Sequence, residues 1–188
     1  MNPPGLNEHY RGTETMRPGL EIDLGSVQRF FEERIEGFDG EARILQFRGG
    51  QSNPSYRVDS GNCSWVIRRK PPGLLLPSAH AVDREFRVLK ALAGTDVPVP
   101  KTNIICMDES VLGTAFYVMD YVEGSVYWEA LLPDKTPVER RLIYDAMNEG
   151  IARLHKVDYQ MLGLKDFGRP GNDVRRQQKR WCKQYLEA

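Results

Sequence analysis

A glycine-rich segment at residues 47–53 has the composition of a loop that could bind phosphate. Gly49 and Gly50 allow the backbone to approach an anion closely and to adopt unusual dihedral angles. Ser52 and Asn53 add hydrogen-bond donors. A simple hairpin loop would have the same composition, so the segment alone leaves both interpretations open. The candidate phosphate-binding residues are Gly49, Gly50, Gln51, Ser52 and Asn53.

The positive charge that a bound phosphate needs could come from Arg68 or Arg69, which end the run that begins at Trp65. A guanidinium group offers a bidentate fork to phosphate oxygens, which the point charge of a lysine does not. Arg68 occupies the place of the lysine in the V-A-I-K strand pattern of protein kinases. Side-chain alternation does not distinguish two neighbouring arginines, and either could be a solvated charge at a strand end.

Glu85 is the acid that could orient this cation. It lies one helical turn after Val82 and one turn before Leu89, so a helix would place it at the edge of the apolar stripe, facing the sheet. A surface charge paired with a neighbouring basic residue is the alternative. The order of loop, cation and acid along the chain favours a functional role.

An apolar segment at residues 116–124 becomes polar and stops at Gly124. Such a segment can present a main-chain carbonyl and amide to an adenine base at a lobe junction. Taken alone, it favours an ordinary core strand instead.

Apolar periodicity and turn residues arrange these segments in a definite order of helices and strands. Helices are predicted at residues 24–35, 79–93, 136–155 and 173–187, and strands at residues 42–47, 55–59, 63–69, 102–107 and 115–122. A turn is predicted at residues 108–113, between the last two strands. This order predicts an α+β fold, in which a five-stranded antiparallel lobe with one inserted helix precedes the start of a helical lobe. The predicted organisation is a flexible lead-in at residues 1–20, a nucleotide-binding lobe at residues 21–124 and a truncated helical lobe at residues 125–188.

The composition narrows the class of partner. The chain has 188 residues with 26 basic and 26 acidic side chains, and this balance argues against nucleic acid or an anionic membrane as the main partner. Its three cysteines form no C-x-x-C pair, and no apolar run approaches the length of a membrane span. A cytoplasmic location is therefore predicted.

Four motifs together resemble the aminoglycoside phosphotransferase and choline-kinase-like family. They are F-R-G-G-Q-S-N at residues 47–53, V-I-R-R-K-P-P-G at residues 66–73, R-E-F-R-V-L at residues 84–89 and Y-V-M-D-Y-V-E-G at residues 117–124. Each motif alone is weak, whereas four in this order are fairly specific. The chain looks most similar to the branch found alone in bacteria or fused to acyl-CoA dehydrogenases.

The resemblance implies a protein-kinase-like fold that binds ATP and Mg²⁺ between two lobes and phosphorylates a small hydroxylated acceptor. It implies that Arg68 contacts the phosphates and that Glu85 orients Arg68. Met119 would lie behind the adenine, and Asp120 and Val122 would offer it backbone contacts. The resemblance does not identify the acceptor or the oligomeric state.

The sequence departs from the family pattern where the chemistry is expected. The family's catalytic loop reads H-G-D-x-x-x-x-N and is followed by a metal-binding aspartate. His9, His80 and His155 are the only histidines, and none begins an H-x-D motif. Asp166-Phe167-Gly168 spells the D-F-G motif of protein kinases, but no catalytic loop precedes it, so a structural connector is predicted.

These features predict an incomplete and inactive portion of a phosphotransferase, with no catalytic or metal-binding residue of its own. The metal ligands would belong to the missing part of the helical lobe. A non-catalytic nucleotide-binding or interaction module is the alternative. A third possibility is a fragment that does not fold stably alone, because the start of the second lobe would expose Leu142, Ile151 and Leu154.

Overall fold

A computed structural model describes residues 12–49, 52–73, 80–168 and 171–186 of the chain. The chain divides into two compact units, Met1–Val157 and Asp158–Ala188. The sheet and four of the helices belong to the first unit, and the last helix belongs to the second. No helix in these ranges is both long and apolar enough to cross a bilayer.

A six-stranded antiparallel sheet forms the centre of the first unit, with strand order β1-β2-β3-β4-β6-β5. The strands are β1 (Thr13–Glu14), β2 (Arg43–Phe47), β3 (Ser55–Ser60), β4 (Cys63–Arg69), β5 (Thr102–Cys106) and β6 (Phe116–Asp120). The predicted count of five was therefore wrong by one. The extra strand comes from the predicted lead-in, where Thr13 and Glu14 pair with Phe47 and Gln46.

The helices are α1 (Leu24–Arg34), α2 (Val82–Leu92), α3 (Glu109–Leu112), α4 (Pro137–His155) and α5 (Asp173–Leu186). The predicted turn at residues 108–113 contains the short helix α3, which Asp108 caps at its N-terminus and Gly113 ends with φ of 81°. The helix predicted from residue 79 begins later: residue 79 lies outside the described ranges, and His80 has φ of 58°, which is not helical.

Apolar side chains cover both faces of the sheet. On one face, Val27 and Phe31 of α1 pack into a cluster with Trp65 and Ile67 of β4. On the other, Val82 and Phe86 of α2 pack against Tyr117 of β6. Because successive strand residues point to opposite faces, this arrangement decides which residues of β4 and β6 face α2.

Helix α4 begins with a capping box in which Thr136 and Glu139 satisfy each other's backbone amides. Its predicted apolar residues do not enter a core: Leu142, Met147, Ile151 and Leu154 are all exposed, by 47% or more.

Candidate functional site: a cleft beside the Arg68–Glu85 pair

The two neighbouring arginines of β4 lie on opposite faces of the sheet. Arg69 is on the α1 side and only 4% exposed, where Nη1 donates to the carbonyl oxygen of Leu112 at 3.0 Å and Nη2 to that of Leu20 at 3.4 Å. Its guanidinium also lies over the ring of Tyr56. Arg68 is on the α2 side and lines a cleft. Arg69 therefore connects β4 to the segments at Leu20 and Leu112. Arg68 is the arginine that a ligand in the cleft can reach.

Arg68 is held by Glu85 of α2, as the order of motifs suggested. Arg68 Nε donates to Glu85 Oε2 at 2.6 Å, and Nη2 donates to Oε1 at 3.4 Å. The other edge of the guanidinium makes longer contacts, from Nη1 to Ser55 Oγ at 3.2 Å and to the Asn53 carbonyl oxygen at 3.4 Å. Desolvation alone would lower the pKa of Arg68, but the hydrogen bond and charge of Glu85 outweigh it and raise that pKa.

Glu85 accepts from two further side chains. Asn53 Nδ2 donates to Oε1 at 2.9 Å, and the Tyr117 hydroxyl donates to Oε2 at 3.3 Å. Burial of the phenol, followed by the negative charge of Glu85, raises the pKa of Tyr117 above its ordinary value. Glu85 is thus fixed by donors from two strands, β4 and β6, and from the loop at Asn53, and it fixes one edge of Arg68 in turn.

The glycine-rich loop lies between β2 and β3, where the sequence placed it. Gly49 lines the cleft, whereas Ser52 is exposed. Asn53 is 2% exposed, and both polar atoms of its side chain have partners within the protein. The remaining predicted loop residues, Gly50 and Gln51, lie outside the described ranges.

The cleft has a volume of about 760 Å³, within the range usual for small-molecule sites. Apolar residues such as Val66 and Met119 form much of its wall, and Arg68 is the one cation among the described residues that line it. All three residues predicted to contact adenine lie along it, namely Met119, Asp120 and Val122.

Backbone groups at the end of β6 are unequally available for a ligand. The Asp120 amide donates to the Lys101 carbonyl oxygen at 2.8 Å, and the Tyr121 amide donates to that of Ser64 at 3.1 Å. Within the described ranges, the Val122 amide has no such partner. The Val122 N–H is therefore available to a bound base, whereas those of Asp120 and Tyr121 are not.

Comparison with known proteins gives the family of this chain. The model of the phosphotransferase enzyme family known as APH matches residues 43–188. The chain belongs to this family. A crystal structure from Ralstonia eutropha, described as a candidate aminoglycoside phosphotransferase, is 46% identical and superimposes with a TM-score of 0.74 over 88% of this chain and 48% of that one. The predicted α+β, kinase-like fold and family resemblance are confirmed.

The APH-family chain is also similar to segments of much longer proteins. It is 47% identical over 177 residues to acyl-CoA dehydrogenase family member 10 of Mus musculus, covering 94% of this chain and 17% of that protein. It is 41% identical over 175 residues to acyl-CoA dehydrogenase family member 11 of Homo sapiens, covering 91% of this chain and 22% of that protein. The chain thus spans about a fifth of the length of these relatives, in agreement with the predicted branch.

Sequence reasoning missed several residues of this APH-family cleft. Phe47 and Tyr121 line the cleft and stack with ring centroids 6.4 Å apart at 22°. Arg57, which is not among the lining residues, has Cζ 4.3 Å from the Tyr121 ring centroid. Alternation from Arg68 along the paired strands would have placed Arg57 and Ser55 on the same face. Other residues come from connections without periodicity, namely Pro98, Val99, Pro100, Ser125, Val126 and Trp128.

The described residues include no group of three or more His, Cys, Asp or Glu side chains that could hold a metal ion. Asp166-Phe167-Gly168 lies in a turn region of the second unit.

Proposed function

We propose that this chain is the nucleotide-binding part of a small-molecule phosphotransferase, which transfers the γ-phosphoryl group of ATP to a small hydroxylated acceptor in the cytoplasm. The observation that carries the proposal is the Arg68–Glu85 pair, which sits beside a glycine-rich loop on the wall of a nucleotide-sized cleft. Membership of the APH family supports the same class of reaction.

The cleft offers groups for both ends of the nucleotide. Adenine would lie against Met119, with the Asp120 carbonyl and the Val122 amide as its backbone partners. Arg68 would contact the α- and β-phosphates. Its four contacts with described residues leave one of the five guanidinium N–H bonds, on Nη2, without a partner among those residues. The two Nη1 contacts, at 3.2 and 3.4 Å, are long enough for phosphate oxygens to replace them.

Magnesium, which the family resemblance implies, has no set of protein ligands among the described residues. The residues present do not fit a protein-held Mg²⁺ site, so we assign no step of the reaction to a metal bound by them. The role of this chain is accordingly proposed as binding and orienting the nucleotide.

The 188 residues themselves are proposed to bind ATP without transferring its phosphoryl group. Transfer needs a residue that accepts the proton of the acceptor hydroxyl, which is the aspartate of the catalytic loop in kinases. None of His9, His80 and His155 is followed by aspartate two positions later. The same observation favours a second candidate function, in which the lobe acts as a non-catalytic nucleotide-binding or interaction module.

Nucleotide binding is tested by the thermal shift of the purified 188-residue chain with ATP, with and without Mg²⁺, and with adenosine as the control ligand. We expect ATP to raise the melting temperature more than adenosine does, and Arg68→Ala to abolish this difference. An ATP-induced shift that Arg68→Ala leaves unchanged would contradict the assignment of Arg68 as the phosphate contact. Phosphorylation of any acceptor at a normal kinase rate would contradict the proposed lack of transfer by this chain.

A further inference from the structure

A chain of hydrogen bonds leads from the cleft to a residue that does not line it. Arg68 donates to Glu85, Glu85 accepts from Asn53, and the Asn53 carboxamide oxygen lies 2.9 Å from His80 Nδ1. His80 itself precedes α2 and is absent from the cleft wall. The chain connects residues that are 27 and 32 positions apart in sequence, so only the fold brings them together.

The direction of each bond follows from the chemistry of the partners. The Glu85 carboxylate, which accepts from Arg68, can only accept from Asn53 as well, so the NH₂ group of Asn53 must face it. The carbonyl oxygen of the same amide then faces His80, which requires a proton on His80 Nδ1. Both the Nδ1–H neutral imidazole and the imidazolium satisfy this requirement.

Asn53 has no substitute partner in solvent, because it is 2% exposed. Without the His80 donor, its buried carbonyl oxygen would lose its hydrogen bond, which is unfavourable. Rotation of the amide to find another donor would turn its NH₂ group away from Glu85. The carboxylate and the arginine that it holds would then lose a fixed position.

We propose that His80 is a positioning residue for phosphate binding, which acts through Asn53 and Glu85 on Arg68. This inference rests on the proposed nucleotide function of the cleft. It also changes the role of Asn53, which the sequence predicted as a phosphate ligand: its side chain holds Glu85 instead.

The backbone of His80 suggests a competing explanation that the test must separate. His80 has φ of 58°, a left-handed conformation that histidine and asparagine adopt more readily than most residues. The residue could thus be present only to let the chain enter α2. His80→Gly keeps this conformation but removes the donor, whereas His80→Asn tolerates the conformation and restores an N–H close to the position of Nδ1.

The experiment measures the dissociation constants of ATP and adenosine for the wild-type chain and for His80→Ala, His80→Gly and His80→Asn. Adenosine reports on the base site and on folding, and the ratio of the two constants reports on phosphate binding. We expect His80→Ala and His80→Gly to weaken ATP binding about five- to tenfold, with adenosine binding within about twofold of wild type. His80→Asn should restore most of the ATP affinity.

A second measurement uses the Arg68→Ala background, where the phosphate contact is already lost. There His80→Ala should have no further effect on ATP binding, because the effects of substitutions at coupled residues are not additive. An unchanged ATP-to-adenosine ratio in His80→Ala, or full ATP affinity in His80→Gly, would overturn the role of His80 while leaving the cleft assignment intact. Two results would overturn the proposed function together with this inference. One is a wild-type chain that binds ATP no better than adenosine, and the other is an ATP affinity that Arg68→Ala leaves unchanged.

Discussion

Conservative lysine substitutions at Arg68 and Arg69 should have opposite effects, and this pair of variants tests the assignment of the two faces of β4. Arg69 is 4% exposed and donates to two carbonyl oxygens, those of Leu112 at 3.0 Å and Leu20 at 3.4 Å. A lysine keeps the positive charge but has no planar fork, so it can satisfy only one of these carbonyls well.

The size of the Arg69→Lys effect can be worked from these contacts. A hydrogen bond from a charged donor contributes about 1.5–3 kcal/mol, so the loss of one of the two should lower the free energy of unfolding by about 2 kcal/mol. For a unit of this size, each kcal/mol corresponds to about 2–4 °C, so the melting temperature should fall by about 4–8 °C. The ATP-to-adenosine affinity ratio, measured well below the melting temperature, should not change.

Arg68→Lys should show the reverse pattern. The side chain of Arg68 is 28% exposed, and a lysine can still pair with Glu85, so the unfolding free energy should change by less than about 1 kcal/mol. The lysine loses the edge of the guanidinium that can reach phosphate, and ATP affinity should fall about tenfold, which corresponds to about 1.4 kcal/mol. If Arg69→Lys weakened ATP binding selectively while Arg68→Lys only lowered the melting temperature, the assignment of the two arginines would be refuted.

Burial and the charge of Glu85 raise the pKa of Tyr117, so the folded chain retains a proton that the unfolded chain releases above about pH 10. Stability should therefore fall as pH rises above that value, and Tyr117→Phe should reduce this alkaline loss in urea titrations at pH 8 and pH 11. Gly61→Ala should lower the unfolding free energy by about 1–2 kcal/mol in the same assay, since Gly61 has φ of 54° and a Cβ there would lie 2.5 Å from Asp39 Oδ2. Thr136→Ala removes the capping box of α4 and should make amide hydrogen exchange in its first turn about fivefold faster, with ATP affinity unchanged.

The main elements of the fold were predictable because their side-chain periodicity is clear. Strand β4 was predicted with its observed bounds, and α1, β2 and α4 to within one residue. Strand β1 was missed because two residues are too few to show any periodicity. The short helix α3 was predicted as a turn, since the composition between Asp108 and Gly113 fits a turn as well as a single turn of helix.

The choice between Arg68 and Arg69 was beyond sequence reasoning for a physical reason. A half-buried strand alternates apolar and polar residues, and this pattern shows which face is inside. Strand β4 is covered on both faces: Val66 is 6% exposed and Ile67 is fully buried. The alternation is therefore absent, and only the helices packed on each side reveal which arginine enters the cleft. Glu85 was predictable because α2 has a single apolar stripe, beginning with Val82.

An arginine at position 68 has a consequence that the lysine of a V-A-I-K strand would not have. Its Nε and Nη2 edge is engaged by Glu85, while the Nη1 edge rests on Ser55 and the loop backbone at Asn53. Phosphate can therefore use the remaining N–H of Nη2 or displace neutral acceptors from Nη1, and need not compete with the carboxylate. Holding the cation and binding the anion thus fall to different edges of one group. The exact position of Glu85 therefore matters more for phosphate binding than it would beside a lysine, because rotation of the guanidinium would exchange the two edges.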